Sequence, residues 1–424
     1  MKASIIIIGD ELLIGQVTDT NSGFLARTMA PYGWEVSNVR TIADDPDAIR
    51  EAVRDALEES RVVLTTGGLG PTKDDITKTV LCEIFGGELR EDPSVTENIK
   101  NVFRKRGIKL NELTAAQAWV PTSASVIQNP VGTAPVMWFE TEGPRKSVLV
   151  AMPGVPFETE HVFTNAVLPR LLSRFPSPDV IVHRTIMVSD ISESALAMRL
   201  SDWESALPSH LHLAYLPKPG LIRLRLDGHG HDEEQLKEEI DRETAKLIAL
   251  LGDNFLYDGD ATPAEILLRT LKAAGLTFAT AESCTGGNIA HLITSVAGSS
   301  ESMLGGVVSY SNDVKKKLLG VKAETLEALG AVSIPVVEQM AEGACRATEA
   351  DVAVATSGIA GPGGGTEQKP VGTVCIAATF RGQTVSDTFH FPGNRARVID
   401  RASTTALLLA IHLIRQTNPS ITKQ

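Results

Sequence analysis

The chain has 424 residues, roughly three times the length of a single domain, so two or three domains are expected. Hydrophobic residues make up 43% and charged residues 22%, which excludes a disordered or collagen-like chain. The formal charge of −12 divides into −13 over residues 1–260 (26 basic, 39 acidic) and +1 over 261–424 (14 basic, 13 acidic). No direct nucleic-acid partner is expected, because neutralising phosphates needs clustered Lys and Arg.

Ala3–Gly9 is a β-branched run closed by Gly-Asp, and Arg61–Thr66 ends in Gly67-Gly68; both predict buried parallel strands feeding glycine turns. Asn21–Pro31, Asp45–Glu58, Ile76–Phe85 and Glu97–Arg106 carry apolar residues at helical spacing, and Ser147–Met152 is a third strand. This alternation predicts an open α/β sheet. Pro176 and Pro178 mark a linker over Phe175–Asp179, giving a first domain at 1–175. Residues 176–258 read as a βαββα module. It has a strand Val180–Val188, a helix capped by Ser192 or Ser194, two strands around Lys218-Pro219-Gly220 and a helix Asp232–Leu251. Its histidines, His183, His210, His212, His229 and His231, have no carboxylates at metal-ligand spacing and are expected to be hairpin and surface residues rather than metal ligands. The third domain, 259–424, is rich in Ala, Gly, Thr and Ser. The pattern predicts helices Pro263–Ala274, Pro335–Ala347 and Arg397–Ile414 and strands Phe278–Ala281, Gly306–Tyr310, Val352–Ser357, Gly372–Thr379 and Thr384–Phe391. The overall expectation is an α/β chain: an open α/β domain, a small α+β module and a second α/β domain. Cys82, Cys284, Cys345 and Cys375 fit neither a zinc ribbon nor a disulfide framework, so reduced thiols and a cytoplasmic setting are expected. No apolar run approaches the roughly 18 residues that cross a bilayer, so no membrane partner is expected.

Three loops of the third domain carry hydroxyls and glycines. Ala281-Glu282-Ser283-Cys284-Thr285-Gly286-Gly287 joins a strand to a helix near Asn288, where unpaired amides can bind an anion or an oxyanion. Ser283 is therefore either a nucleophile or, with Thr285, an N-cap. His291, His390 and His412 have no neighbouring carboxylate in sequence, so a Ser-His-Asp triad is not apparent. Tyr310-Ser311-Asn312-Asp313-Val314-Lys315-Lys316-Lys317 offers a lysine base instead. Adjacent lysines at a helix start repel one another and oppose the helix dipole, both of which lower an amine pKa. A solvated basic patch is the alternative. The third loop, Thr356 to Gly365, suits phosphate or ribose, and Lys369-Pro370-Val371-Gly372-Thr373 follows it.

AESCTGG, GGVVSYSNDVKKKLLGV and SGIAGPGGGTEQKPVGTV occur in that order and resemble the C-terminal domain of the CinA family, whose stand-alone PncC-type relatives are nicotinamide-nucleotide amidohydrolases. The resemblance implies metal-free hydrolysis of nicotinamide mononucleotide to nicotinic acid mononucleotide and ammonia. Ser283 would be the nucleophile and Lys315 the base, with Tyr310 and Ser357 assisting; a threonine is common where Ser357 stands. Thr285, Gly286, Gly287, Asn312, Gly358 and Gly361 would line the substrate site. The amides near Gly286 or Gly358 would receive the oxyanion, and Arg395 with the basic run would hold the 5′-phosphate.

In the first domain, Gly9-Asp10-Glu11-Leu12, Asp19-Thr20-Asn21 and Thr65 to Thr77 gather at strand ends, where open sheets bind ligands. Gly67 and Gly68 could free amides for a phosphate, and Asp74 with Asp75 could hold a hydrated divalent ion. Equally, the two acids could cap the following helix. This region resembles the molybdopterin-binding fold of the MoaB and Mog type, and more closely the N-terminal domain of the CinA family. Asp74 stands where the molybdopterin enzymes usually have Arg. The likeness implies a metal-dependent ADP-ribose pyrophosphatase site built from Asp19, Asn21, Gly67, Gly68 and Asp75. The middle module resembles a KH fold without its GXXG loop, so RNA clamping is not expected. A homodimer is the expected assembly. A molybdopterin-type nucleotide-binding protein and a non-catalytic competence or DNA-damage adaptor are the other readings.

Overall fold

The structure, a computed structural model, describes residues 1–418 apart from 73–74, 108, 143–144, 177–179 and 219. Asp74, the residues 177–179 of the expected linker and Pro219 of the expected turn therefore lie outside the described residues.

In the first domain β1 (Lys2–Ile8) is buried from Ala3 onward, because both faces of its sheet are covered and an unbroken isoleucine run can be hidden on either side. It pairs in parallel with β2 (Glu35–Ile42) and β3 (Val62–Thr66). With β4 (Ser125–Ile127), β5 (Val136–Glu140) and β6 (Val148–Met152) the order is β2-β1-β3-β6-β5-β4. Ile5, Ile7, Leu64 and Val150 face one core with Leu25 and Met29 of α1 (Asn21–Met29). Ile6, Ile8, Val63 and Leu149 face the other, under α2 (Pro46–Glu59) and α3 (Thr77–Phe85). Sequence pattern alone does not pick out β2. Its residues alternate between exposed and half-buried along an edge, so it lacks the apolar run that marks β1.

The middle module comprises β7 (Val180–Ser189), α4 (Glu193–Ser205), β8 (Leu211–Lys218), β9 (Leu221–Gly230), α5 (Glu233–Leu251) and β10 (Phe255–Asp258). Ser192 caps α4, its hydroxyl accepting from the Ala195 amide. The short β10 is an addition to the βαββα pattern; it pairs antiparallel with β7 and completes the order β8-β9-β7-β10. Two of the histidines find single carboxylate partners through folding. Neighbouring elements bring His183 Nδ1 to 2.5 Å from Asp227 and His210 Nε2 to 2.8 Å from Glu239. Both partners lie far along the chain, so linear spacing could not reveal them. Among the described residues no three His, Cys, Asp or Glu side chains converge as a metal cage.

The chain packs as two compact units, one of residues 1–183, 208–212 and 227–243, the other of 184–207, 213–226 and 244–424. In the second unit β11 (Phe278–Glu282), β12 (Met303–Val308), β13 (Val352–Gly358), β14 (Thr373–Phe380) and β15 (Gln383–His390) form a sheet of order β12-β11-β13-β14-β15. The first three strands are parallel and the last two antiparallel. One face carries α6 (Pro263–Ala274), α7 (Asn288–Thr294) and α10 (Arg395–Thr417), the other α8 (Asn312–Leu319) and α9 (Ile334–Thr348). Met187, Leu221 and Leu256 of the middle module are buried in the same core as Leu267 and Leu407. All four cysteines are free, and Cys82, Cys284 and Cys375 are buried. Among the described residues no helix is long and apolar enough to cross a membrane.

Candidate functional site

Because β11, β12 and β13 run parallel, their carboxyl ends open at one edge of the sheet, where open α/β sheets place ligands. Ser283 follows β11, Ser309 and Tyr310 follow β12, and Ser357 closes β13. Helix α8, capped by the Ser311 hydroxyl accepting from Val314 N, points Lys315 inward. Lys315 is 1% exposed. Its Nζ lies 3.1 Å from Ser283 Oγ and donates to the Ser309 carbonyl at 2.7 Å. Burial lowers the Lys315 pKa, against a small opposing effect from Cys284. The expected cause, repulsion within a lysine run, does not operate: Lys316 is turned outward and paired with Asp313 at 2.8 Å, which raises its pKa.

The other predicted residues separate into distinct roles. Arg395 donates to Tyr310 Oη at 3.1 Å and to the Gly361 carbonyl at 2.9 Å, drawing three loops together. Tyr310 remains 65% exposed, so its ring is open to a ligand. Asn312 is exposed at the start of α8. Thr285 is buried with its hydroxyl 2.7 Å from that of Thr356, and the Ser357 hydroxyl donates to the Ala331 carbonyl at 2.7 Å. Those two hydroxyls are spent on holding loops. Gly358 sits in the β13–β14 ladder opposite Val374. The expectation that the amides opening α7 are unpaired is corrected: the buried Glu282 carboxylate accepts from Gly287, Ile289 and Ala290. Cys284 is no competing nucleophile, since burial pushes its thiol up to about 12. His412 does have a carboxylate neighbour, Asp190 at 3.5 Å, and lies 3.3 Å from Ser189 Oγ. That serine is only 1% exposed, which closes it to substrate. Sequence reading missed Glu282 and the Ser309 carbonyl; the latter acts through its backbone and leaves no signal in residue type.

The first domain has its own cleft, about 500 Å³, at the ends of β1 and β3. Gly67, Gly68, Asp19 and Asn21 line it as expected. Asn21 is buried and donates to the Gly154 carbonyl at 2.9 Å; Asp19 accepts from Ser22 N at 3.1 Å. Asp75 accepts from Gly70 N at 2.6 Å and Thr72 N at 2.9 Å, so its carboxylate shapes the loop that carries it. Asp44, which follows the unpredicted β2, faces the same cleft, and its pKa is raised by burial and by neighbouring acids that include Asp10, Glu11 and Asp75. Five carboxylates line the cleft (Glu11, Asp19, Asp44, Asp75, Glu158), with no Lys or Arg among the described lining residues. These donors fit a hydrated divalent ion rather than a dry cage.

Comparison with known proteins gives three family matches along the chain. Residues 4–173 match a family described as a probable molybdopterin binding domain, 183–256 the damage-inducible protein CinA KH domain, and 260–414 the CinA C-terminal domain. A CinA-like protein of Cytophaga hutchinsonii is 43% identical over 385 residues, 91% of each chain. The chain belongs to the CinA family. A CinA-like protein of Flavobacterium psychrophilum is 41% identical over 412 residues, 96% of this chain and 97% of its own. A solved competence/damage inducible protein from Agrobacterium tumefaciens is 42% identical, covering 35% of this chain and 93% of its own, with a TM-score of 0.35. The CinA C-terminal match spans Ser283, Lys315, Tyr310 and Arg395 together.

Proposed function

We propose that the third domain hydrolyses the carboxamide of nicotinamide mononucleotide to nicotinic acid mononucleotide and ammonia. The observation that carries this reading is a buried lysine amine 3.1 Å from a serine hydroxyl in a strand-to-helix turn. Burial favours the neutral amine. One N–H then stays on the Ser309 carbonyl, and the lone pair is available to the Ser283 proton. Ser283 Oγ bonds to the amide carbon as its proton passes to Lys315. As the C–N bond breaks, Lys315 returns that proton to the departing ammonia. Water, deprotonated by the same amine, then releases the acyl group. Tyr310 and Arg395 would meet the ribose phosphate. The family likeness supplies the choice of a pyridine nucleotide; the amine–hydroxyl pair supplies the acyl-transfer chemistry.

Ser283→Ala is expected to abolish ammonia release, and a chelator to leave it unchanged; a chelator-sensitive amidase would contradict the reading. The pH dependence has a definite sign. Because the folded-state pKa of Lys315 is lowered, the rate rises with pH through that depressed value, below the ordinary lysine value of about 10.4. By linkage the unfolded chain binds this proton more tightly. The buried charge destabilises the fold fully below the folded pKa, and this is relieved as pH climbs toward the unfolded one. A rate that falls on raising pH from 6 to 8 would count against a lysine base.

A second activity, metal-dependent ADP-ribose pyrophosphate cleavage in the first domain, is favoured by the acidic cleft. A pyrophosphate cannot settle among five carboxylates without cations. Asp75 and Asp44 would hold a hydrated divalent ion, which when bound neutralises the phosphates and polarises them. Asn21 and the Gly67-Gly68 turn would orient the nucleotide. Chelation is expected to stop ADP-ribose turnover and Asp75→Ala to impair it, both leaving ammonia release intact; equal loss of the two activities would rule out separate sites.

A further inference from the structure

Glu282 is wholly buried, immediately precedes Ser283 and takes no part in the proton transfers above. Its Oε2 accepts from Gly287 N and Ile289 N at 3.0 Å each, and its Oε1 from Ala290 N at 2.9 Å. The turn can fold back onto this carboxylate because Gly286 and Gly287 adopt φ of 64° and 98°, the left-handed region that favours glycine. Around the same turn, Ser283 N donates to Thr356 O at 2.9 Å, Gly286 N to Ser283 O at 3.2 Å and Asn288 N to Thr285 O at 3.1 Å. Thr285 N has no backbone acceptor among the described residues, and the Cys284 amide faces only its own thiol, a weak acceptor.

We propose that Glu282 is the positioning residue of the nucleophile. It absorbs the amides that open α7 and pins the Ser283–Gly287 turn, leaving the amides of Cys284 and Thr285 to receive the oxyanion. Placing a donor directly after the nucleophile is a geometry that strand-to-helix turns readily supply. Three backbone N–H groups at the opening of α7 surround the carboxylate in this position. A carboxamide of the same shape keeps only one acceptor and turns an N–H₂ toward a backbone donor, so the turn must shift. The substrate side of this inference rests on the amidase reading, while the reactivity of Ser283 does not.

The test uses the full chain and Glu282→Gln, following three quantities: labelling of Ser283 by a fluorophosphonate, ammonia release from nicotinamide mononucleotide, and thermal unfolding. Labelling rate and kcat are expected to fall together by about 10²-fold, the scale of one lost oxyanion donor. KM should stay within about threefold and the lysine limb of the pH profile should not move. Should Glu282→Gln fail to fold, Glu282→Asp keeps the charge but withdraws the carboxylate by one methylene from its three donors, with an expected loss of about tenfold. A folded Glu282→Gln protein that labels and turns over within about twofold of the wild type would overturn the proposal, as would a loss confined to KM. If the wild type labels at Ser283 yet releases no ammonia, the substrate reading fails, and the ratio of labelling rates still decides whether Glu282 positions the serine.

Discussion

Lys315→Met is expected to lower ammonia release by about 10⁴- to 10⁶-fold, the range seen when one member of a nucleophile–base unit is removed. Stability should change far less. Methionine is unbranched and can fill the lysine's channel, and it ends the desolvation that depresses the amine. Against this, the Ser309 carbonyl loses a buried donor at 2.7 Å, which costs about 1–3 kcal/mol. The opposing effects leave a net change within about 2 kcal/mol. Calorimetry and an ammonia assay on one sample check both halves. A variant that keeps even a hundredth of the wild-type rate would exclude Lys315 as the base. One that unfolds outright would show the lysine to be a structural strut.

Gly343→Ala should damage both stability and rate, although helix propensity predicts a gain of about 1 kcal/mol. Gly343 lies in α9 against the end of α8, and a Cβ there would sit 2.0 Å from the Leu319 carbonyl oxygen and 2.8 Å from its carbon. Those are backbone atoms, already tied to α9 by Arg346, which donates to the same carbonyl at 3.2 Å. They cannot swing aside like a flexible side chain. The two helices must part, at a typical overpacking cost of about 1–3 kcal/mol or more. Since α8 carries Lys315 four residues before Leu319, the amine shifts relative to Ser283. A displacement of about 1 Å can cost 10²-fold in rate. We expect a lowered melting temperature and a kcat reduced by at least about tenfold, with helical content retained. Wild-type values of both would mean that α8 and α9 adapt freely at this contact.

The buried parallel strands were legible because they are apolar on both faces, and Pro263–Ala274 because a capping box at Thr262 opens it and Gly275 closes it. Strand β2 was not, since a half-exposed edge reads as polar chain, and Asp44 disappeared with it. Ser283 and Lys315 were legible as residue types, but the cause of the lysine's lowered pKa was not: burial depends on how α8 packs, which a run of three lysines obscures. The role of Glu282 depends on two left-handed glycines bending the chain back on itself, and that of His412 on a partner more than two hundred positions away. Contacts closed only by tertiary folding have no local signature.

The burial of Met187, Leu221 and Leu256 alongside Leu267 and Leu407 bears on any attempt to prepare the third domain by itself. A fragment starting at residue 259 would keep Asp260 but lose Arg223, its ion-pair partner at 3.1 Å, and would bare greasy patches that the missing strands now shield. Such a fragment should be prone to aggregate unless those patches are recoloured with polar side chains. Retaining the stretch from residue 184 would be the gentler excision.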